Sequence, residues 1–140
     1  MIWLIAEDEA DIRNLIAMMA QVWGKQTRAF ENGQKVWEWL DAFEAGAHRD
    51  ELPELVLMDI RMPGKRGNEI AKRMRQMHAL ERTPIVLMTA FALSESERHV
   101  MMAQDGVDEI IAKPLPDFEQ LRALLHTIVD TRQSQSKAST

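Results

Sequence analysis

Segments with the character of β-strands alternate five times with amphipathic helical patterns along this chain of 140 residues. Helical patterns are recognised by apolar residues that recur every three or four positions, and strands by short apolar runs. Strict alternation of the two predicts a parallel sheet with helices on both faces, joined by right-handed crossovers. The predicted strands are Met1–Ala6, Gln26–Phe30, Leu55–Met58, Pro84–Met88 and Asp108–Ala112, and the predicted helices are Ala10–Trp23, Gly33–Gly46, Gly67–Met77, Ser94–Gly106 and Asp117–Thr131.

Asp59 is the most informative polar residue in this arrangement. It follows the apolar run Leu55–Met58 and precedes Pro63-Gly64, which ends the strand in a loop. Open α/β sheets bind ligands outside the carboxyl ends of their strands, so an acid there is well placed for chemistry. Taken alone, a solvated strand-end acid or a turn cap is an equal alternative, since Asp favours such positions.

A second acidic site, Glu7-Asp8-Glu9, follows the first apolar run. If the two strands are parallel neighbours, the carboxylates of both sites meet at one edge of the sheet. Carboxylates that close repel one another, so one of them holds a proton or a cation lies among them. Mg²⁺ suits such a site because it prefers hard oxygen ligands. The alternative, an acidic first turn of the first helix, can hold for Glu9 while Glu7 and Asp8 bind metal.

Two further strand ends carry polar groups. Thr89-Ala90 follows the fourth strand, and Lys113-Pro114 follows the fifth. In isolation each is more often an ordinary strand-end or surface residue. A hydroxyl and an ammonium at the same edge as an acid cluster are, together, what a phosphoryl group would need.

On these residues the chain resembles the receiver domain of response regulators in bacterial two-component signalling. The resemblance covers about residues 2–130 and is carried by Glu7-Asp8, the segment Met58-Asp59-Ile60-Arg61-Met62-Pro63-Gly64, Thr89-Ala90 and Lys113-Pro114. It implies a flavodoxin-like (βα)5 doubly wound parallel sheet, as in chemotaxis regulators, with strand order 2-1-3-4-5. Strands 1 and 3 are then neighbours, which brings both acidic sites to the switch point of the sheet.

The resemblance also implies a metal site. Asp8 and Asp59 are expected to bind Mg²⁺ directly, together with the backbone carbonyl of Arg61, while Glu7 acts mostly through water.

The same resemblance implies phosphoryl transfer. Asp59 is expected to accept a phosphoryl group from a sensor histidine kinase or a histidine phosphotransfer protein and so become a 4-aspartylphosphate. Lys113 would pair with Asp59 and then with a phosphoryl oxygen. Thr89 and the backbone N–H of Ala90 would donate hydrogen bonds to phosphoryl oxygens. The Lys113–Pro114 bond is expected to be cis, as in the family.

Three residues modify this expectation. Arg61 and Phe91 lie two positions beyond the acceptor and the threonine, are bulky, and offer no carboxylate or amide to orient water, so slow self-hydrolysis is expected. Ile110 stands where receivers usually carry Tyr or Phe, which predicts a weaker or differently built switch, because isoleucine is stiff and lacks a hydroxyl. The alternative is that Ile110 only packs between helices, and that the loop from residue 89 to 97 carries the movement.

Helical spacing predicts which helix faces are buried. The residues expected to face the core are Ile12, Leu15, Ile16 and Met19 in the first helix and Val100 and Ala103 in the fourth. This leaves His99 and Met102 exposed on the fourth helix. By resemblance, the fourth helix, fifth strand and fifth helix form the output face, so His99 and Met102 are candidate contacts for an unidentified downstream protein.

Composition narrows the class of protein. With no cysteine, the chain has no disulfide framework, thiol nucleophile or cysteine metal site. The first apolar run is too short for a signal peptide or a membrane span and ends in acids, so a cytoplasmic protein without membrane association is expected. The net charge of −5 argues against nonspecific nucleic-acid binding, and no direct DNA binding is expected. A monomer or a phosphorylation-dependent dimer is expected.

Residues 1–131 are predicted to form the receiver, and residues 132–140, polar and without periodicity, a disordered tail. Whether the receiver stands alone or is part of a longer protein stays open.

Other functions fit the motifs less well. A phosphohydrolase with an Asp nucleophile usually carries a second Asp two residues later, where this chain has Arg61. A pseudo-receiver would normally have lost an acid, the threonine or the lysine, and a nucleotide-binding module needs a glycine-rich loop after the first strand. The chain is therefore expected to catalyse nothing beyond its own phosphoryl transfer and aspartyl-phosphate hydrolysis.

Overall fold

The computed structural model describes residues 2–47 and 51–138, and its centre is one parallel sheet. The strand order is β2-β1-β3-β4-β5, which confirms the predicted order. The strands are β1 (Ile2–Ala6), β2 (Gln26–Phe30), β3 (Pro53–Asp59), β4 (Ile85–Thr89) and β5 (Glu109–Ala112).

The helices alternate with the strands as predicted. They are α1 (Ala10–Val22), α2 (Gly33–Glu44), α3 (Gly67–Gln76), α4 (Glu95–Ala103) and α5 (Phe118–Ala138), with a 3₁₀ turn at His78–Leu80. Helix α5 continues past the end predicted near Thr131, because its polar residues include good helix formers that carry no apolar period. The domain boundary at residue 131 stays a prediction. No helix in the described ranges has the length and apolarity that a membrane crossing needs.

The sheet has a separate apolar core on each face, because successive side chains of a strand point to opposite sides. On one face Leu4, Val56 and Leu87 pack with residues of α2 and α3. On the other face Ile5 and Leu57 pack with residues of α1 and α5. Both faces of β1, β3 and β4 are thus covered, so their polar residues collect at the strand ends.

One predicted helix face is wrong at a single position, and another is wrong as a whole. In α1, Ile16 and Met19 are buried as predicted, but Leu15 is 51% exposed, because the apolar stripe of α1 is wider than the face that packs on the core. In α4, Val100 and Ala103 are exposed, and Met101 is the residue that packs on the core. No residue of α4 is fully buried, so this helix is held more lightly than the others.

Candidate functional site

The carboxyl ends of β1, β3, β4 and β5 meet at one edge of the sheet. Asp59, at the end of β3, is in register with Met88 of β4, and Thr89 is in register with Ala112 of β5. Glu7 follows β1 directly, and its backbone N–H donates to the carbonyl of Phe30 (3.1 Å). The parallel register therefore brings the predicted acids, threonine and lysine to the same place.

Lys113 is the centre of the site. Its Nζ donates to both carboxylate oxygens of Glu7 (2.9 Å each) and to Oδ2 of Asp59 (3.0 Å). Glu7 is fully buried, and Asp59 is 6% exposed. The sequence predicted the pair with Asp59 but not the second pair with Glu7. The backbone N–H of Lys113 donates to the carbonyl of Thr89 (2.7 Å), and the Lys113–Pro114 bond is cis, as expected.

Burial and charge shift the pKa values of this pair. Burial raises the pKa of Glu7, and the negative charge of Asp59 adds to this rise, while Lys113 opposes it. Burial alone would lower the pKa of Lys113, but its hydrogen bonds to Glu7 and Asp59 outweigh that effect and hold the pKa above its ordinary value. Lys113 therefore stays an ammonium at neutral pH.

The acids also form a possible cation site. Glu7, Asp8 and Asp59 each offer a carboxylate oxygen, and these atoms lie within 4.8 Å of one another. Asp8 is exposed, whereas both oxygens of Glu7 already accept hydrogen bonds from Lys113. Three hard oxygen donors at this spacing, open to solvent on the Asp8 side, fit Mg²⁺. Direct binding by Asp8 and indirect binding by Glu7 match this difference in exposure.

Thr89 is nearly buried, and its hydroxyl is already bonded. Oγ1 donates to the carbonyl oxygen of Phe91 (3.0 Å) and accepts from the backbone N–H of Phe91 (3.2 Å). To donate to a ligand at Asp59, this hydroxyl must give up its bond to the Phe91 carbonyl. Ala90, which follows it, is exposed.

Arg61 and Phe91 are in direct contact, which the sequence did not predict. The guanidinium carbon of Arg61 lies 3.8 Å from the centre of the Phe91 ring. The two residues come from the loops that follow β3 and β4, so their stack bridges the two sides of the site. Both positions were recognised as neighbours of the acceptor, but a contact between two loops leaves no local sequence signal.

Two glycines hold the loop after β3 in place. A Cβ at Gly67, the first residue of α3, would lie 2.5 Å from the carbonyl oxygen of Asp59. A Cβ at Gly33, the first residue of α2, would overlap the carbonyl oxygen of Lys65. Both helices thus begin directly against the backbone of the loop that carries Asp59 and Arg61.

The predicted output residues lie away from this edge. Ile110 is 5% exposed and belongs to the core cluster between the sheet and α2 and α3. His99 and Met102 are exposed on α4, as predicted.

Comparison with known proteins identifies similar chains. The family model for the response regulator receiver domain matches residues 3–126. The phosphate regulon transcriptional regulatory protein PhoB of Pseudomonas aeruginosa is 30% identical over 138 residues, which are 96% of this chain and 55% of that protein. The regulatory protein AtoC of Escherichia coli is 34% identical over 122 residues, which are 87% of this chain and 24% of that protein. The chain therefore spans about half or less of the length of these relatives.

Solved structures share the fold. The chemotaxis response regulator CheY4 of Vibrio cholerae superposes with a TM-score of 0.73 at 21% identity, covering 91% of this chain and 97% of that one. NtrX from Brucella abortus, in complex with ADP, gives a TM-score of 0.78 at 22% identity and covers 99% of this chain and 29% of that one.

Proposed function

The chain belongs to the response regulator receiver domain family, and from this premise we propose that Asp59 is its phosphoacceptor. Receiver domains take phosphoryl groups from histidine kinases, and phosphotransfer is their general function. One observation carries the assignment to Asp59. Its nearly buried carboxylate ends β3 with Lys113 at 3.0 Å, and it shares a cluster of oxygens with Glu7 and Asp8.

The transfer needs positioning and charge neutralisation more than covalent help from the protein. A carboxylate oxygen of Asp59 attacks the phosphorus of a phosphohistidine. The new O–P bond forms as the P–N bond breaks, and its electron pair returns to the imidazole nitrogen. Lys113, already 3.0 Å from Asp59, then pairs with a phosphoryl oxygen, and Thr89 donates its hydroxyl to another.

We assign Mg²⁺ to Asp8, Asp59 and the backbone carbonyl of Arg61, with Glu7 acting through water. The ion would neutralise negative charge on the phosphoryl oxygens. The donor, a sensor histidine kinase or a histidine phosphotransfer protein, and the cytoplasmic location remain predictions, as does the absence of any activity beyond self-phosphorylation and dephosphorylation.

The direct test is chemical phosphorylation. The protein is incubated with phosphoramidate and Mg²⁺, and its intact mass is measured. A gain of one phosphoryl group is expected, and a chain that gains none under these conditions contradicts the proposal.

The acids should differ in their effect on Mg²⁺ affinity. Asp8→Asn removes an exposed carboxylate that contacts the ion directly, so we expect the affinity to fall by roughly tenfold or more. Glu7→Gln should reduce it less, because both Glu7 oxygens are already bonded to Lys113. Calorimetric titration with MgCl₂ measures both variants. An equal loss in the two, or a larger loss in Glu7→Gln, contradicts the assignment.

Arg61 and Phe91 should determine how long the phosphoryl group persists. Both side chains are bulky, come from the loops that follow β3 and β4, and offer no carboxylate or amide to orient water, so wild-type hydrolysis should be slow. Arg61→Asn and Phe91→Glu each introduce a group that can orient an attacking water, and each should speed decay by about tenfold. Decay of the phosphoprotein is followed by intact mass, with Arg82→Asn, an exposed arginine on another surface, as control. Unchanged or slower decay in both variants refutes the idea.

We place the output surface on α4, β5 and α5, with His99 and Met102 as contacts for a downstream protein. Their exposure supports this assignment. Ile110, buried in the core, can fill the space behind Thr89 but has no hydroxyl to exchange between buried and exposed partners. The structural difference that phosphorylation drives through residue 110 should therefore be small. We expect a monomer, or a dimer that forms on phosphorylation, without direct DNA binding by this domain.

A further inference from the structure

The contact between Arg61 and Phe91 joins the loop that follows β3 to the segment that leads into α4. Arg61 is exposed, and its guanidinium lies on the face of the half-buried Phe91 ring. Phe91 stands three residues before Ser94, the residue that caps α4. Any force that moves the guanidinium off the ring therefore acts at the entrance to this helix.

A phosphoryl group at Asp59 competes for two of the contacts that hold Phe91, the guanidinium on its ring and the Thr89 hydroxyl at its carbonyl. It is a dianion, and a guanidinium prefers a phosphoryl oxygen to a ring face because the charge-assisted hydrogen bond is stronger. It also attracts the Thr89 hydroxyl, which now donates to the Phe91 carbonyl at 3.0 Å. Phosphorylation of Asp59 would thus draw the Arg61 guanidinium away from the Phe91 ring and break the hydrogen bond from Thr89 to the Phe91 carbonyl.

Helix α4 can move when these contacts are lost, because few contacts hold it to the core. None of its residues is fully buried, and a capping box between Ser94 and Glu97 holds its first turn. Hydrogen bonds from Ser94 lower the pKa of Glu97 most, and the positive charge of Arg61 lowers it further. The charge of Arg61 is therefore felt at the start of α4, and this effect weakens together with the contact to the Phe91 ring when the guanidinium turns away.

We propose that Arg61 is the positioning residue that reports the phosphoryl group to α4, by moving its guanidinium from the Phe91 ring to the phosphoryl oxygens. This inference rests on the proposed function of Asp59. It gives the switch a route that does not need an aromatic residue at position 110, where this chain has the buried Ile110.

Two variants and a control test the route. Arg61→Met keeps a long side chain but removes the cation, and Phe91→Leu keeps apolar bulk but removes the ring face. Arg82→Met removes an exposed arginine elsewhere. Each protein is titrated with beryllofluoride and Mg²⁺, and amide shifts of Ser94–Ala103 are recorded by NMR, together with the Nε–H signal of Arg61 in the proteins that retain this residue. Phosphorylation with phosphoramidate is followed separately by intact mass.

In the wild type and in Arg82→Met, we expect the Arg61 Nε–H signal and the α4 amides to shift together. In Arg61→Met and Phe91→Leu, we expect the α4 shifts at saturating beryllofluoride to fall to about half or less of the wild-type values. Full α4 shifts in both variants, or an Arg61 signal that does not move in the wild type, overturn this inference alone. If the wild type forms no phosphoadduct, the proposed function is wrong, and the inference that rests on it is wrong as well.

Discussion

Asp59→Asn should abolish phosphorylation completely. The amide has no negative oxygen to attack phosphorus, and the substitution removes one of the three carboxylates that lie within 4.8 Å of one another. Wild type incubated with phosphoramidate and Mg²⁺ should gain one phosphoryl group by intact mass, and the variant none. Wild type in excess EDTA should react at least about tenfold more slowly, since the charge on the phosphoryl oxygens is then not neutralised.

The matched control is Asp130→Asn, which changes an exposed aspartate on α5, away from the site. It should be phosphorylated like the wild type. A phosphoadduct that still forms in Asp59→Asn would show that another residue is the acceptor. Phosphorylation of the wild type at full rate in EDTA would show that the reaction does not need the metal.

Lys113→Met should cost the fold about 3 kcal/mol, because it leaves the buried carboxylates of Glu7 and Asp59 without their cation. Thermal unfolding of the metal-free protein should show a Tm lower by roughly 10 °C. Lys35→Met, which breaks an exposed pair with Glu31, should change stability by less than about 1 kcal/mol. The double variant Glu7→Gln with Lys113→Met should recover part of the loss, because it leaves one buried charge fewer. A Lys113→Met protein as stable as the wild type would contradict the buried bridge.

The Lys113→Met loss should depend on pH. Folding raises the pKa of Glu7, so this residue contributes to stability when it is protonated. The contribution is complete below the pKa that Glu7 has in the unfolded chain, and it is lost as the pH rises through the pKa that Glu7 has in the folded protein. Without Lys113, only the hydrogen bond from the Glu9 backbone N–H opposes the effect of burial, so the pKa of Glu7 rises further. The stability difference between Lys113→Met and wild type should therefore be smaller at about pH 5 than at about pH 8. Denaturant unfolding in EDTA at the two pH values measures this difference. If Lys113→Met loses more stability at the lower pH, the raised pKa of Glu7 is not the cause.

The position of the site could be predicted from sequence because its residues directly follow strands. Asp59 ends β3 and Thr89 ends β4, and parallel strands bring their carboxyl ends to one edge whatever the details of packing. The family resemblance added the strand order, which makes β1 and β3 neighbours and brings Glu7 close to Asp59. Strand periodicity and strand-end chemistry, together with this strand order, were sufficient to place these residues at one edge.

Contacts between side chains of distant segments could not be predicted in this way. Glu7 and Lys113 are 106 residues apart, and their bridge depends on how far each side chain reaches across the sheet. The stack of Arg61 on Phe91 depends on two loop conformations, which apolar periodicity does not describe. The face of α4 was predicted wrongly for a related reason, since a helix with no fully buried residue has only a weak apolar pattern.

The two glycine contacts give the site walls of unequal stiffness. The wall after β3 is clamped, because α3 begins against the backbone of Asp59 and α2 begins against that of Lys65. The wall after β4 leads into a helix with no fully buried residue. When a group bound at Asp59 strains the site, the segment after β4 moves more easily than the loop after β3, because fewer close contacts hold it. The molecule therefore fixes the direction in which any displacement at Asp59 travels, towards α4 and away from α2 and α3.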